Sequence, residues 1–558
     1  MQLLKLPSAM LRRSVPSRRE EVKPSQTPGS RGSLSPGPMT SMLTTSTVSS
    51  ATPTGASSRA TLLGNGSHSS ASVCRKHMLL EHSSAEHSEQ LREAYVLDEQ
   101  VIGRGGFGTV SRATLKTCPA VVRAVKAVPR KNLKAEDLVH REVAALRRLD
   151  HPSICKLFET FEDDKTMYLV LEFIDGRELF DEIVESGHLD EKQAAFIMQQ
   201  VFNALRYCHE RAVIHRDLKP DNIMLVKTSQ AAAPARKRPA GPEVKLIDFG
   251  LAVITSKVRR LRSGNSLVGT ADYMAPEARA GDCVRSSDLW SVGMVLHALL
   301  VGGLPPPHVQ DGQAAIDFDK PLYASVSLQA KDLLRGLLQA DPSERFSAYA
   351  AALHPWTQGG LGTALRPGDI APTMAAFASF HRSAKLRRAA LTALAMQLTS
   401  RQLEGLREQF FLIDTDGNGR ISKEELVRSI AVGAPAGGVE GVRDWVESVF
   451  DSIDTDGSQE IEYTEWLAAA LHEGAYRSEE ALRAAFRVFD TDGDGGIDQR
   501  ELGRVLSQTP EEIASAMPQF DANGDGVIDF EAFKAIFDTL LSPGEDAGAG
   551  FSTSILSL

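Results

Sequence analysis

Four twelve-residue segments near the end of the chain place acids and glycines in the same order. They are DTDGNGRISKEE from Asp414, DTDGSQEIEYTE from Asp454, DTDGDGGIDQRE from Asp490 and DANGDGVIDFEA from Asp521. Each sets oxygen-bearing side chains at alternate positions around a sharp turn and carries an isoleucine (Ile421, Ile461, Ile497, Ile528) just after it. Turn chemistry alone accounts for one such segment, but not for three matches at regular spacing. The stretches between them repeat apolar residues at helical intervals. Residues from about 376 to 540 therefore read as helices punctuated by loops.

Calcium is a hard cation that takes six to eight oxygens, and an EF-hand loop supplies them from positions 1, 3, 5, 7, 9 and 12 around a glycine at 6. The first segment fits throughout, with Asp414, Asp416, Asn418, the Arg420 carbonyl, Ser422 through water, and Glu425. The second offers Asp454, Asp456, Ser458, the Glu460 carbonyl, Glu462 and Glu465, but Gln459 stands where glycine belongs. A positive φ costs a non-glycine residue on the order of 1 kcal/mol, so weaker binding is expected there. The third is the most acidic, with Asp490, Asp492, Asp494, the Gly496 carbonyl, Asp498 and Glu501. The fourth keeps Asp521, Asn523, Asp525, the Val527 carbonyl and Asp529, but ends in Ala532, with Glu531 one residue early. One residue on a helix is a rotation of about 100°, so Glu531 points elsewhere and weak or absent binding is expected. Pro518 disturbs the helix entering this loop. The fourth repeat is expected to brace the third through a short β-bridge between their isoleucines.

The middle of the chain has a different pattern. Short β-type runs (YVLDEQVIG, AVVRAVKAV, MYLVLEF) give way to helical segments. VIGRGGFGTV holds Gly103, Gly105 and Gly108 in G-x-G-x-x-G spacing. Dinucleotide folds use that spacing too, but there the loop opens a helix, whereas SRATL and VVRAVKAV continue here as strands. Glycines let backbone approach phosphates without a Cβ in the way. Lys126 lies in an apolar strand, as an edge lysine or as a cation for phosphates paired with the helical carboxylate Glu142. HRDLKPDN follows from His215 to Asn222, then IDFG ending at Gly250, then APE ending at Glu277.

This ordered set, over residues 95 to 357, resembles the protein kinase family. The resemblance implies a bilobal α+β domain that uses ATP and Mg2+. It implies that Ile102, Gly103, Arg104, Gly105, Gly106, Phe107, Gly108, Thr109, Val110, Ala124, Lys126 and Glu172 surround ATP, with Leu171 beside the adenine. Asp217 would orient the substrate hydroxyl and accept its proton, while Asn222 and Asp248 would hold Mg2+. Lys126 and Glu142 would form an ion pair. Lys219, in DLKP form, resembles a serine/threonine kinase. Glu178 and Asp221 match acidic positions that recognise arginine before the acceptor, and are otherwise two surface acids. Every catalytic position is filled, which counts against a pseudokinase. The segment KTSQAAAPARKRPAGPE reads as a surface insertion. A phosphate on Ser263, Ser266 or Thr270 of the basic activation segment would find cationic partners such as Arg216. Thr270 lies where the family contacts substrate, so modification there is less expected.

Between the halves, Leu386, Ala390, Leu394 and Leu398 make an apolar stripe on a helix over residues 376–400, beside a basic face. Such a helix reads as a calmodulin-type target, a membrane-surface helix, or a charged connector. Kinase, basic helix and four EF-hands in this order resemble the calcium-dependent protein kinases of plants, algae and apicomplexan-type protists. The resemblance implies a multidomain chain in which a bilobal kinase is followed by an all-α calmodulin-like domain. Its pairs of hands would span 402–472 and 478–540, with a tail at 541–558. It implies protein substrates with Ser/Thr acceptors, no nucleic-acid partner, and release of an inhibitory junction when Ca2+ binds. Arg387-Arg388-Ala389-Ala390-Leu391 resembles a phosphorylation site with alanine for the acceptor, as a pseudosubstrate would, though a helix bracing the lobes would serve too. The competing reading is a calcium-responsive scaffold with a vestigial kinase.

The net charge of -10 is unevenly spread, since the first 80 residues hold only Glu20 and Glu21 as acids. Residues 1–90 are Ser/Pro/Arg-rich with little periodic apolar material and read as disordered. Five scattered cysteines without metal spacing fit a reducing, cytoplasmic setting. The Arg- and Ser-rich start leaves a transit-peptide reading open. Gln2 follows Met1 where N-myristoylation needs glycine, so membrane association is not indicated.

Overall fold

The computed structural model describes residues 80–82, 87–105, 108–130, 133–227, 242–255, 261–262, 270–312, 315–358, 367–399, 402–432, 438–471, 478–506, 509–521 and 523–538. Of the extension read as disordered over 1–90, residues 1–79 lie outside them, while Leu80–His82 form a strand and His87–Ala94 a helix; most of the predicted insertion over 227–243 also lies outside them, as do the tail 541–558, Gly106, Phe107, Ser263 and Ser266.

Six strands form one sheet in the order β1-β5-β6-β4-β3-β2. They are β1 Leu80–His82, β2 Tyr95–Gly105, β3 Gly108–Leu115, β4 Cys118–Pro129, β5 Leu157–Glu162 and β6 Thr166–Glu172. β1 runs parallel to β5, and the remaining pairs are antiparallel. The glycine-rich stretch is the turn between β2 and β3, with Gly105 opposite Gly108. In β4, Ala124 pairs with Leu171 and Lys126 with Leu169. Both faces of this strand are buried, so its lysine lies among Val121, Val125 and Val128. The helix Leu133–Leu146 follows β4 and carries Glu142.

A helical lobe comes next. Its longest helix, Glu191–Glu210, is started by Asp190, whose carboxylate accepts from the Lys192 amide. The helix Arg285–Val301 is buried nearly all round, as its apolar sequence demands, and stops at Gly302, where φ is +77°.

The C-terminal part is helical around the four acidic loops. Ile421 pairs with Ile461 and Ile497 with Ile528, so each pair of loops is tied by a two-stranded ribbon. The helix Pro510–Ala516 gives way to a 3₁₀ turn over Met517–Gln519, where Pro518 removes an amide donor. The junction differs from the single expected helix. It is two helices, Pro367–Arg382 and Lys385–Gln397, with Ala384 extended between them. The second packs on Tyr463–Ala470 and Glu479–Phe489. Among the described residues no helix is long and apolar enough to cross a membrane.

Candidate active site and calcium loops

Lys126 is 8% exposed, and its Nζ lies 2.7 and 2.9 Å from the Glu142 carboxylate oxygens and 2.8 Å from Asp248 Oδ1. Burial works to discharge this ammonium; the two carboxylates outweigh it, so the lysine is held charged, above its usual pKa. Burial likewise pushes Asp248 up, but Lys126 outweighs that effect and leaves it below the usual carboxylate range. Asp248 adopts φ +58°, which aims its side chain back at the lysine. A Cβ on Gly250 would stand 3.1 Å from Asp248 Oδ1 and 3.3 Å from Glu142 Oε2, so a larger residue would crowd this trio. On β3, a Cβ on Gly108 would collide with the Ala127 carbonyl, which explains the glycine there by strand packing.

Asp217 is the second centre. Its carboxylate accepts from Lys219 Nζ at 3.0 Å, Asn222 Nδ2 at 3.1 Å, the Thr270 amide at 2.9 Å and Thr270 Oγ1 at 3.0 Å. Asn222 also donates to the Asp217 carbonyl at 2.7 Å. The loop is strained, with Arg216 at φ +71°. It is held by Asp288, a residue the sequence reading missed. Asp288 is 1% exposed and accepts from the amides of His215 and Arg216 at 3.0 and 2.9 Å, and pairs with His209 Nε2 at 2.8 Å. Burial pushes its carboxyl up, yet His209 and the Arg216 amide bring it below the usual range. The available signal was a lone acid in the apolar run SSDLWSVG. Arg345 was missed as well; it holds Glu277 at 2.7 and 3.1 Å, anchoring the end of the activation segment.

Glu172, expected to begin the hinge, is the last residue of β6, and its side chain pairs with Lys245 at 2.8 Å. Ile102 is exposed, and Gly103, Thr109 and Val110 are half-buried on the turn strands. Glu178 and Asp221 lie on the same lobe as Asp217, with Asp221 pushed up by burial.

In the C-terminal part, Asp414, Asp416 and Glu425 converge, as do Asp454, Asp456 and Glu465, and Asp490, Asp492 and Asp494, each trio with oxygens within 4.8 Å of one another. The twelfth-position glutamate folds back into its loop. Glu425 accepts from the amides of Thr415 at 2.9 Å, Asp416 at 3.2 Å and Ser422 at 3.0 Å. Glu465 and Glu501 repeat the arrangement. Burial and then Glu425 push Asp414 well above the usual carboxylate range, and burial raises Asp454 and Asp490 too. Converging acids held against their own repulsion are a donor set that fits Ca2+. Arg420 and Glu460, at position 7 of their loops, pair with each other through their side chains. Asn418 and Ser458 sit at position 5 and bond within their loops. Gln459 takes φ +66°, the conformation glycine would adopt freely.

The fourth loop keeps its turn, since Asp521 accepts from the amides of Gly524 and Gly526 at 2.7 and 2.8 Å. Asn523 Nδ2 donates to Asp525 at 2.9 Å, and the amides of Asp525 and Val527 donate to Asn523 at 3.1 Å and Asp525 at 2.9 Å. The Ala532 amide donates to Asp529 at 2.7 Å, and the Glu531 side chain is 74% exposed. Among the described residues this loop gathers no acidic trio.

Residues 96–357 match the protein kinase domain family, and residues 403–471 and 479–537 match the EF-hand domain pair. The chain is 32% identical over 437 residues to calcium-dependent protein kinase 5 of Plasmodium falciparum, covering 76% of this chain and 73% of that protein. It is 33% identical over 468 residues to calcium-dependent protein kinase 16 of Oryza sativa, covering 80% and 81%. It is 34% identical over 433 residues to calcium-dependent protein kinase 9 of Arabidopsis thaliana, covering 75% and 76%. The chain belongs to the calcium-dependent protein kinase family.

This calcium-dependent protein kinase is a calcium-regulated serine/threonine kinase that uses ATP, Mg2+ and Ca2+, and the vestigial-kinase scaffold falls away. Its EF-hand domain encloses the junction. Leu386, Ala390, Leu394 and Leu398 are buried as expected, but so are Ala389, Leu391, Ala393 and Met396. Each buried leucine contributes about 2 kcal/mol of transfer free energy. The supposed basic face is partly internal. Arg387 is 5% exposed and donates to the Ile536 carbonyl at 2.7 Å, in the last turn of helix Phe530–Asp538. A cation at a helix C-terminus satisfies carbonyls that the helix leaves open, which makes burial tolerable. The segment Arg387–Leu391 thus lies inside the EF-hand domain.

The same domain lies against both kinase lobes. On the sheet lobe, Arg487 meets Glu159 at 3.2 Å, Tyr95 donates to Glu159 at 2.7 Å, and Arg123 donates to Gln397 at 2.8 Å. Ala484 joins the apolar cluster of Leu91, Phe158 and Val170. Just before β5, Asp150 is bonded by Thr464 at 2.7 and 2.8 Å, and on the helical lobe Arg211 pairs with Glu462 and Glu243 with Arg407.

Proposed function

We propose that this kinase phosphorylates serine or threonine in basic segments of proteins, and that calcium sets its activity by moving the junction and EF-hands onto the face described above. What carries the reading is one coincidence. The Lys126–Glu142–Asp248 trio is assembled at 2.7–2.8 Å while the junction helix is wrapped by EF-hands.

In this reading Lys126 positions the α- and β-phosphates of ATP, and Glu142 fixes the lysine. Asp217 orients the acceptor hydroxyl and takes its proton as the oxygen bonds to the γ-phosphorus. The bond from that phosphorus to the bridging oxygen of ADP breaks, and Lys219 neutralises charge beside Asp217. Thr270 already occupies Asp217 with a hydroxyl at 3.0 Å, the kind of contact an acceptor would make. Mg2+, when bound, would neutralise the phosphates from Asn222 and Asp248. Glu178 and Asp221 would favour arginine before the acceptor. Ca2+, when bound, would relieve the repulsion among the loop acids.

The brace role of the junction is favoured over the pseudosubstrate role by the burial of Arg387 and its bond to Ile536. The decisive experiment is phosphorylation of a basic serine peptide by the full-length protein, titrated with free Ca2+. A steep rise between about 10⁻⁷ and 10⁻⁵ M supports the reading. Activity flat across that range rejects calcium control.

A further inference from the structure

The eight turn positions of the four loops differ in what surrounds them. At Gly457, Gly493, Gly495, Gly524 and Gly526 a Cβ would meet open space. At Gly417 (φ +68°) it would stand 2.7 Å from Asn203 Oδ1, and at Gly419 (φ +79°) 2.5 Å from His151 Cδ2 and 2.7 Å from Tyr207 Cδ2. Asn203 and Tyr207 belong to the kinase helix Glu191–Glu210. The first loop therefore meets the kinase with its bare backbone turn, at distances that admit no side chain.

A charge contact sits at the same place. Arg206, one helical turn from Asn203, donates to the Asp416 carbonyl, and its second nitrogen lies 3.5 Å from Asp416 Oδ2. The guanidinium is itself set by Glu210 at 2.9 Å and by the Tyr349 ring at 4.7 Å. Asp416 Oδ1 stays turned into the loop, accepting from the Asn418 amide at 2.9 Å. The outer oxygen faces the kinase and the inner one faces the metal position. Arg206 is 9% exposed, while the Asp416 side chain is 49% exposed, so the guanidinium is buried and the carboxylate it meets stays partly in solvent.

We propose that Asn203 and Arg206 form a receptor on the kinase for the turn of the first calcium loop, so that occupation of this loop sets docking, alongside the contacts that Glu462 and Thr464 of the second loop make to Arg211 and Asp150. The inference rests on the calcium-driven docking proposed above. Its logic is a linkage. Asp414, Asp416 and Glu425 repel one another in the turned loop, so a cation favours the turn. The receptor fits only the turned backbone. Whatever stabilises the same shape from two sides is coupled reciprocally, so the kinase surface must raise the affinity of the first loop for Ca2+.

The test uses the full-length protein, wild type against Arg206→Ala and Arg206→Lys. Three quantities are read: the free Ca2+ at half-maximal peptide phosphorylation, the Ca2+ binding isotherm, and amide hydrogen exchange over residues 199–211. Arg206→Ala is expected to raise the activation midpoint about five- to tenfold, and to weaken one Ca2+ site by the same factor. Calcium-dependent protection of 199–211 should fall with it, and Arg206→Lys should recover part of the loss. Should Arg206→Ala fold poorly, Asn203→Trp places bulk against Gly417 and is expected to give the same three changes. A calcium-activated wild type whose variants keep both midpoint and isotherm overturns the inference and leaves calcium control standing. A wild type that ignores calcium overturns both.

Discussion

The two halves of this kinase surround their buried carboxylates with different partners. In the active cleft each acid has a cation or donors at hand. Lys126 holds Glu142 and Asp248, while His209 and two amides hold Asp288. The net effect leaves Asp248 and Asp288 below their usual range despite burial, whereas burial keeps Glu142 above its own. In the calcium loops the acids face one another, and Asp414, Asp454 and Asp490 are raised. The cleft is a site whose charge is balanced by the chain itself. The loops are sites whose balance is left to a ligand, which is how a sensor differs physically from a catalyst.

The largest effect should come from Asp217→Asn. Peptide phosphorylation at saturating Ca2+ is expected to fall about 10²–10⁴-fold, with an unchanged Ca2+ isotherm. A shifted isotherm would break the separation of the halves.

Arg487→Ala removes one link between them and leaves Glu159 with Tyr95 but without this cation. Breaking such a buried pair costs roughly 3 kcal/mol, so the activation midpoint should move to higher Ca2+ with little change in activity at saturation. A drop only in saturated activity would assign Arg487 to kinase stability instead.

Acid should act with opposite sign on Asp248 and Asp288 and on the first acids of the three calcium loops. Asp248 and Asp288 are depressed, so the stability they contribute is present above the ordinary carboxylate pKa of about 4 and is lost as pH falls through their lower folded values. Asp414, Asp454 and Asp490 are raised, so without metal the folded loops bind more protons than the unfolded chain. Their stability therefore rises as pH falls from above those raised values towards about 4. Hydrogen exchange of residues 285–301 and 463–470 in metal-free protein, corrected for intrinsic rates, reads the two slopes. Saturating Ca2+ should abolish the second slope only.

Ala532→Glu supplies the missing twelfth ligand. It should add one bound Ca2+ per chain by direct binding measurement and barely move the activation midpoint, because the fourth loop meets open space. The smallest change is expected for Gln459→Gly, which relieves a positive φ worth about 1 kcal/mol and should tighten one Ca2+ site without altering peptide turnover.

Much of the chemistry was legible because it is written in short segments. A calcium loop gathers its ligands within twelve residues, so Asp414 to Glu425 could be placed by spacing alone. Gln459 and Ala532 stood out as departures for the same reason. The fold of the kinase lobes was legible from the order of motifs, each a few residues long. Asp288 and Arg345 were not, because their partners lie far along the chain and a lone polar residue in an apolar run has no local pattern to announce it. The basic face of the junction misled. Periodicity sees only one helix, and the carbonyls that receive Arg387 come from residues 536 and 537.

By itself the sequence determined what each half can do: bind a nucleotide, move a phosphoryl group, and gather oxygens around a hard cation. Only the tertiary structure decided how the halves address one another. Gly417 and Gly419 are loop glycines in sequence, and become a docking surface only when the helix Glu191–Glu210 lies against them. Local backbone geometry is set by neighbours in the chain. A contact between residues 206 and 416 is set by packing and by the long-range balance of charge, which no short window of sequence contains.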